Sequence, residues 1–192
     1  ERISELEAAL NDAAGRNVEL ERELFLSLRL RVAERLGYLL DLASYLSRLD
    51  VLQSLAHAAT VRGYAAPRIT TDERLAITAG RHPVVEAHLP AGAFVPNGLG
   101  LDTADRFFAL ITGPNMAGKS TYLRQTALIV LLAQIGSYVP ADEAEIGIVD
   151  RIFCRVGASD NLARGESTFL VEMNEAAFIL RTATSASLVI MD

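Results

Sequence analysis

Apolar side chains recur at helical spacing through the first 62 residues: Leu20, Leu24 and Leu28, then Leu39, Leu42, Leu46, Leu49, Leu52 and Leu55. No proline and only two glycines, Gly15 and Gly37, fall within this stretch, and Gly63 supplies a C-terminal stop. The opening ERISELEAALNDAAGRNVELERELF is charge-laced with a narrow apolar stripe, the pattern of a long antiparallel arm or of a freestanding coiled coil. After Gly37 the apolar share rises, so that helix is expected to pack into a body.

The texture changes at Pro67. Pro67, Pro83, Pro90 and Pro96 alternate with glycines and with short β-prone runs at 75–78 and 82–85, which predicts small strands and turns. Three further runs predict strands, 107–112, 148–156 and 187–191, the last of them buried. Between them, YLRQTALIVLLAQIG is helical in pattern, as is the segment carrying Val171, Met173, Ala177, Ile179 and Leu180. Parallel core strands are buried on both faces and read as continuous apolar runs, as SLVIM does here. The expected class is therefore α/β, preceded by long helices.

At 192 residues and 51% hydrophobic, the chain can build a real core. A single cysteine, Cys154, excludes an internal disulfide framework and suits a reducing, cytoplasmic setting. Its place in RIFCRVG predicts a buried structural thiol. ALIVLLAQIG is too short and interrupted to span a bilayer, so no membrane partner is expected. His82 and His88 lack a neighbouring ligand cluster, and hydrogen-bonded structural roles are expected rather than a zinc site. The net charge of −6 gives no basic stripe for duplex DNA, so any DNA contacts are expected mostly elsewhere. The chain opens without methionine, with ERISELEAAL, and closes on SLVIMD; both ends are expected to be cut.

ITGPNMAGKSTY carries the chemistry. Gly113 and Gly118, followed by Lys119 and Ser120, fit the spacing G-x-x-x-x-G-K-[ST], with Pro114, Asn115, Met116 and Ala117 between the glycines. Such a loop turns successive N–H groups inward as an anion nest, and the helix behind it adds its unpaired N–H groups and positive dipole end. Lys119 is expected to reach the β- and γ-phosphates of a triphosphate, Ser120 to offer its hydroxyl to Mg²⁺, and Thr121 to start the helix proper. A P-loop ATPase also needs an acid on a neighbouring strand to hold the metal's hydration shell. Asp192, closing the apolar run SLVIM, has the expected form.

GPNMAGKSTYLRQTALIVLLAQIGSYVPA, DRIFCRVGASDNLARGESTFLVEM, SLVIMD and RHPVVE together resemble the ATPase domain of the MutS family of DNA mismatch-repair proteins. LERELF and LDVLQSLA extend the likeness into the family's lever and core helices, so it covers essentially the whole chain. The resemblance implies a lever and core segment over residues 1–63 and an incomplete ABC-type P-loop ATPase domain over 64–192. It implies ATP and Mg²⁺ as ligands, a homodimer, mismatched duplex DNA held mostly by other regions, and a MutL-type partner. Nucleotide contacts would come from residues 113–121, with Asn115 near the γ-phosphate or attacking water, and from Phe94 and Val95 packing on adenine. Ser167, in STF, would act in trans on the nucleotide of the partner subunit, from the start of a helix. A structural N-cap at Ser167 and plain core packing at Phe94 are the simpler alternatives.

The family's water-positioning glutamate, which follows the Asp192 position, and its switch histidine do not occur in this sequence. Neither does the Phe-x-Glu motif of the mismatch-reading domain. The chain by itself is accordingly expected to hydrolyse ATP poorly and not to distinguish mismatched from paired DNA. A transporter-type or chromosome-maintenance ABC ATPase would show an LSGGQ-like signature, from which RGESTFLVEM departs. A MutS-like paralogue without mismatch recognition shares every motif above. A structural arm with a decayed nucleotide fold would not need Lys119, Ser120 and Asp192 intact.

Overall fold

A computed structural model describes residues 2–102, 104–155 and 168–192. The chain divides into two compact units, Glu1–Gln53 and Ser54–Asp192. The first is helical. Helix α1 (Arg2–Ala33) ends at a turn over Glu34 and Arg35, and α2 (Leu36–Arg62) begins directly behind it and runs on into the second unit. The leucine stripe is helical as expected, but Leu39, Leu42, Leu46, Leu49 and Leu52 all remain exposed, and burial begins only at Leu55 and Ala59. Periodicity sets which face of a helix is apolar; burial needs a partner, and the described residues of this unit supply none.

In the second unit, α2 stops as its residues dictate. Gly63 takes φ +59°, and the Tyr64 N–H returns to the Ala59 carbonyl at 3.0 Å, the six-residue closure that left-handed glycine permits at a helix end. Arg81 then caps the same end, its guanidinium donating to the Gly63 carbonyl at 2.9 Å while pairing with Glu86.

Strands β1 (Arg68–Thr70), β2 (Leu75–Gly80), β3 (Asn97–Leu101) and β4 (Glu143–Gly147) form one sheet in the order β1-β4-β2-β3. β1 and β4 are parallel, while β2 is antiparallel to both β4 and β3. β5 (Ile152–Arg155) and β6 (Leu188–Met191) pair in parallel as a second sheet. The long helix of this unit, α4 (Lys119–Gln134), lays Ile129, Val130 and Ala133 against Leu75, Ile77, Ala144 and Ile146. Ile129 and Val130 are fully buried. That core fixes α4 on the sheet and thereby fixes its first turn. The fold is mixed α/β, as the pattern of runs predicted.

Three local expectations are corrected. Residues 82–85 are not a strand but open helix α3 (Pro83–His88). Pro83 fits the first helical position, and His82 Nδ1 accepts from the Val85 N–H at 3.2 Å as a cap, which outweighs the β-preference of two valines. The run 148–156 is broken: β4 ends at Gly147, β5 starts at Ile152, and Asp150 accepts from Thr184 and Ser187 in the interval. Gly147 lies so close to the Asp72 carbonyl that no side chain fits there. Residues 107–112 join no ladder, and Phe107, Phe108 and Leu110 stay 73–78% exposed. They line, with β6, a cavity of about 550 Å³, while the ladder of β6 goes to β5.

His82 is buried, and burial, aided by the Arg124 charge, holds its pKa below the usual value. Its folded pKa lies beneath its unfolded one, so its contribution is complete above about pH 6.5 and is lost as pH falls through the folded value. His82→Asn keeps a capping acceptor that does not titrate. The melting temperature of this variant is expected to fall less than wild type's between about pH 7.5 and 5.5; parallel falls in the two would contradict the assignment.

Candidate nucleotide site

The loop from Gly113 to Gly118 reaches α4 through two left-handed residues. Gly118, at the N-cap, takes φ 89°, and no side chain caps the first turn behind it. Met116 takes φ 62°, a conformation costly for a residue with a Cβ, and its side chain is fully exposed. Strain of this kind at a solvent-facing loop curls the backbone around its own centre. Lys119 fills that centre: its Nζ donates to the carbonyls of Gly113 and Pro114, each at 2.8 Å. The ammonium is thus held inside the loop by two exposed carbonyls, which an anion of higher charge could displace.

One residue further on, the Ser120 hydroxyl donates to the Asp192 carboxylate. The two arrive from opposite directions. Core packing of α4 places its first turn, and β6 delivers Asp192 at its C-terminal end, where the Asp192 N–H also donates to the Arg155 carbonyl at 2.9 Å. A hydroxyl and one carboxylate suit Mg²⁺, which keeps several waters and binds through one or two protein oxygens together with substrate phosphates, while the neighbouring lysine suits the phosphates. Among the described residues no group of three or more His, Cys, Asp or Glu side chains could hold a metal alone.

The other expected site residues are less concentrated. Asn115 and Ala117 lie exposed on the loop, and Thr121 is half-buried in the first turn of α4. Phe94 is half-buried and Val95 is 76% exposed, in the turn ahead of β3 where Asn97 Nδ2 donates to the Val95 carbonyl at 2.9 Å. Ser167 lies outside the described residues; α5 (Thr168–Thr182) begins immediately after it.

Two residues escaped the reading of the sequence. Tyr122, half-buried and with a phenol pKa raised by that burial, donates its hydroxyl to the Gly98 carbonyl at 2.8 Å. Arg155 reaches from β5 to Glu172 at 3.0 Å and Glu175 at 3.3 Å on α5. No pattern marks a side chain whose partner is a distant backbone carbonyl, and Arg155 carries only the weak signal of a charge inside an apolar strand. Cys154 is corrected in the other direction. It is exposed rather than buried, although enough protein surrounds the sulfur to push its pKa up, with Arg124 acting against that shift. A thiol held protonated is a poor nucleophile.

No helix among the described residues is long and apolar enough to cross a membrane. The family model MutS domain V matches residues 109–192. A DNA mismatch repair protein MutS from Treponema pallidum is 60% identical over the whole of this chain, which covers 22% of that relative. Proteins of the same name from Acetivibrio thermocellus and Sorangium cellulosum are 55% and 57% identical over 99% of the chain, covering 22% and 21% of their lengths. The chain therefore spans about a fifth of the length of these relatives. Matched along its whole length at such identity, and by the domain V model across the loop-and-acid site, the chain belongs to the MutS family.

Proposed function

We propose that this chain supplies the nucleotide site of a MutS-type mismatch-repair ATPase, an ABC-type P-loop domain in which ATP binding and hydrolysis at a homodimer interface switch a clamp on mismatched DNA. The proposed division is a lever and core segment over residues 1–63 and the P-loop domain over 64–192. The observation that carries this reading is the meeting of Ser120 with Asp192 beside the Lys119 loop. Packing brings a strand-borne acid and a hydroxyl from the first turn of α4 together beside a lysine at an exposed spot, the set of groups that a Mg·triphosphate uses. The name that the relatives carry, DNA mismatch repair protein MutS, supports the repair role.

Residues 113–118 and the uncapped start of α4 would receive the phosphates through backbone N–H groups. Lys119 would leave the Gly113 and Pro114 carbonyls for the β- and γ-phosphates, and Asn115 would stand by the γ-phosphate. Ser120 and Asp192 would hold Mg²⁺, which when bound neutralises charge that develops on the transferring phosphoryl group. Phe94 and Val95 would pack on adenine. Ser167, which precedes α5 in the sequence, would complete the site of the partner subunit. With a net charge of −6, the chain would leave mismatched DNA and a MutL-type partner mostly to other regions.

The test of the trans arrangement is subunit mixing in the full-length protein. Ser167→Ala is expected to leave ATP binding by one subunit nearly intact and to impair ATP-dependent closure of the dimer. Mixed with Lys119→Ala subunits, it is expected to restore at most one working site per dimer. Two working sites, counted by bound nucleotide and turnover, would overturn the assignment.

A further inference from the structure

The β2–β3 ladder slips beside the nucleotide loop. Leu75, Ala76 and Ile77 pair in step with Leu101, Gly100 and Leu99, but the next pair is Gly80 with Asn97. Thr78 and Ala79 therefore oppose Gly98 alone, a bulge that Ala79 accommodates with φ 51°. The Thr78 carbonyl is taken by the Asp142 N–H on the opposite side. The Gly98 carbonyl, on the edge strand opposite the bulge, accepts the Tyr122 hydroxyl at 2.8 Å. A side chain at Gly98 would press on the Ile77 carbonyl, 3.2 Å from its Cβ, so the position favours the bare backbone that a phenol can approach.

This bond links the two segments to which opposite ends of the nucleotide are assigned above. Tyr122 stands in the first turn of α4 with Lys119 and Ser120, its own N–H returning to the Gly118 carbonyl at 2.9 Å. Gly98 lies on the edge strand whose first residue, Asn97, holds the Val95 carbonyl. We infer that Tyr122 is a positioning residue for nucleotide selectivity, setting the distance between the Phe94–Val95 turn and the phosphate loop. The inference rests on the adenine and phosphate roles proposed above. An edge strand has partners on one side only, so a single side-chain tether to α4 limits how far the turn drifts from the loop. Binding a base and a triphosphate at once depends on that spacing; binding a triphosphate alone does not.

The experiment compares equilibrium binding of Mg·ATP and of magnesium tripolyphosphate by the full-length protein. Tyr122→Phe keeps the ring and removes only the hydroxyl. It is expected to weaken ATP about three- to tenfold and tripolyphosphate less than about twofold. Phe94→Ala is expected to shift the ratio the same way, and Lys119→Ala to weaken both ligands. The effects of Tyr122→Phe and Phe94→Ala should combine to less than their product, because both act through the adenine contact. Equal weakening of both ligands by Tyr122→Phe, or no weakening of either, would overturn the positioning role even where Phe94→Ala behaves as expected. An unchanged ratio in Phe94→Ala would instead remove the adenine contact, and the inference with it.

Discussion

Lys119→Ala in the full-length protein is expected to weaken Mg·ATP binding about ten- to a hundredfold, with little change in melting temperature. A charge-assisted hydrogen bond contributes about 1.5–3 kcal/mol, and each 1.4 kcal/mol is tenfold in affinity. In the free protein the ammonium rests on the Gly113 and Pro114 carbonyls, both at an exposed loop, so water takes its place when the side chain is removed. The loss should therefore appear in binding and not in folding. Equilibrium titration reads it directly, and a variant that bound like wild type would show that this loop does not hold the phosphates.

A larger effect is expected in turnover from Asp192→Asn. The change keeps the shape of the side chain and an oxygen for the Ser120 hydroxyl, and the Asp192 N–H still reaches the Arg155 carbonyl. What it removes is the negative charge that meets the Ser120 hydroxyl at the end of β6. Phosphoryl transfer is mostly positioning and charge stabilisation, and loss of a single preorganised electrostatic group typically costs on the order of 10²–10³ in kcat. Steady-state ATP turnover of the full-length protein should fall by about that factor, with nucleotide affinity falling less. Turnover within about threefold of wild type would mean that Asp192 does not hold the catalytic metal.

What the sequence made legible was local. Helical periodicity with a glycine stop placed α1, α2, α4 and α5, and the Gly63 closure shows why the stop falls there. The apolar run ahead of Asp192 is a parallel strand, as its continuous pattern required. Non-local properties were hidden. Residues 107–112 have a strand's composition but join no ladder: composition sets a propensity, while pairing is decided by non-local contacts. Leu39 to Leu52 show an apolar face that stays exposed, because composition does not contain a partner. The Tyr122 bond was invisible for a third reason: its acceptor is a backbone carbonyl of another element, brought near by the fold and marked by no residue type. At the site, residue types and spacing singled out Lys119, Ser120 and Asp192; that Ser120 and Asp192 touch is a fact of packing, set by Ile129 and Val130 on the sheet and by β5 beside β6.

The central claim is that Ser120 and Asp192 share a divalent cation with a nucleotide held by the Lys119 loop. Mn²⁺ in place of Mg²⁺ makes this visible, since electron paramagnetic resonance counts free and bound metal in the full-length protein with and without a slowly hydrolysed ATP analogue. Wild type is expected to take up one Mn²⁺ per subunit at this site only with the nucleotide present, and Ser120→Ala and Asp192→Asn are each expected to lose or markedly weaken that uptake. Nucleotide-dependent Mn²⁺ binding unchanged in both variants would contradict the claim.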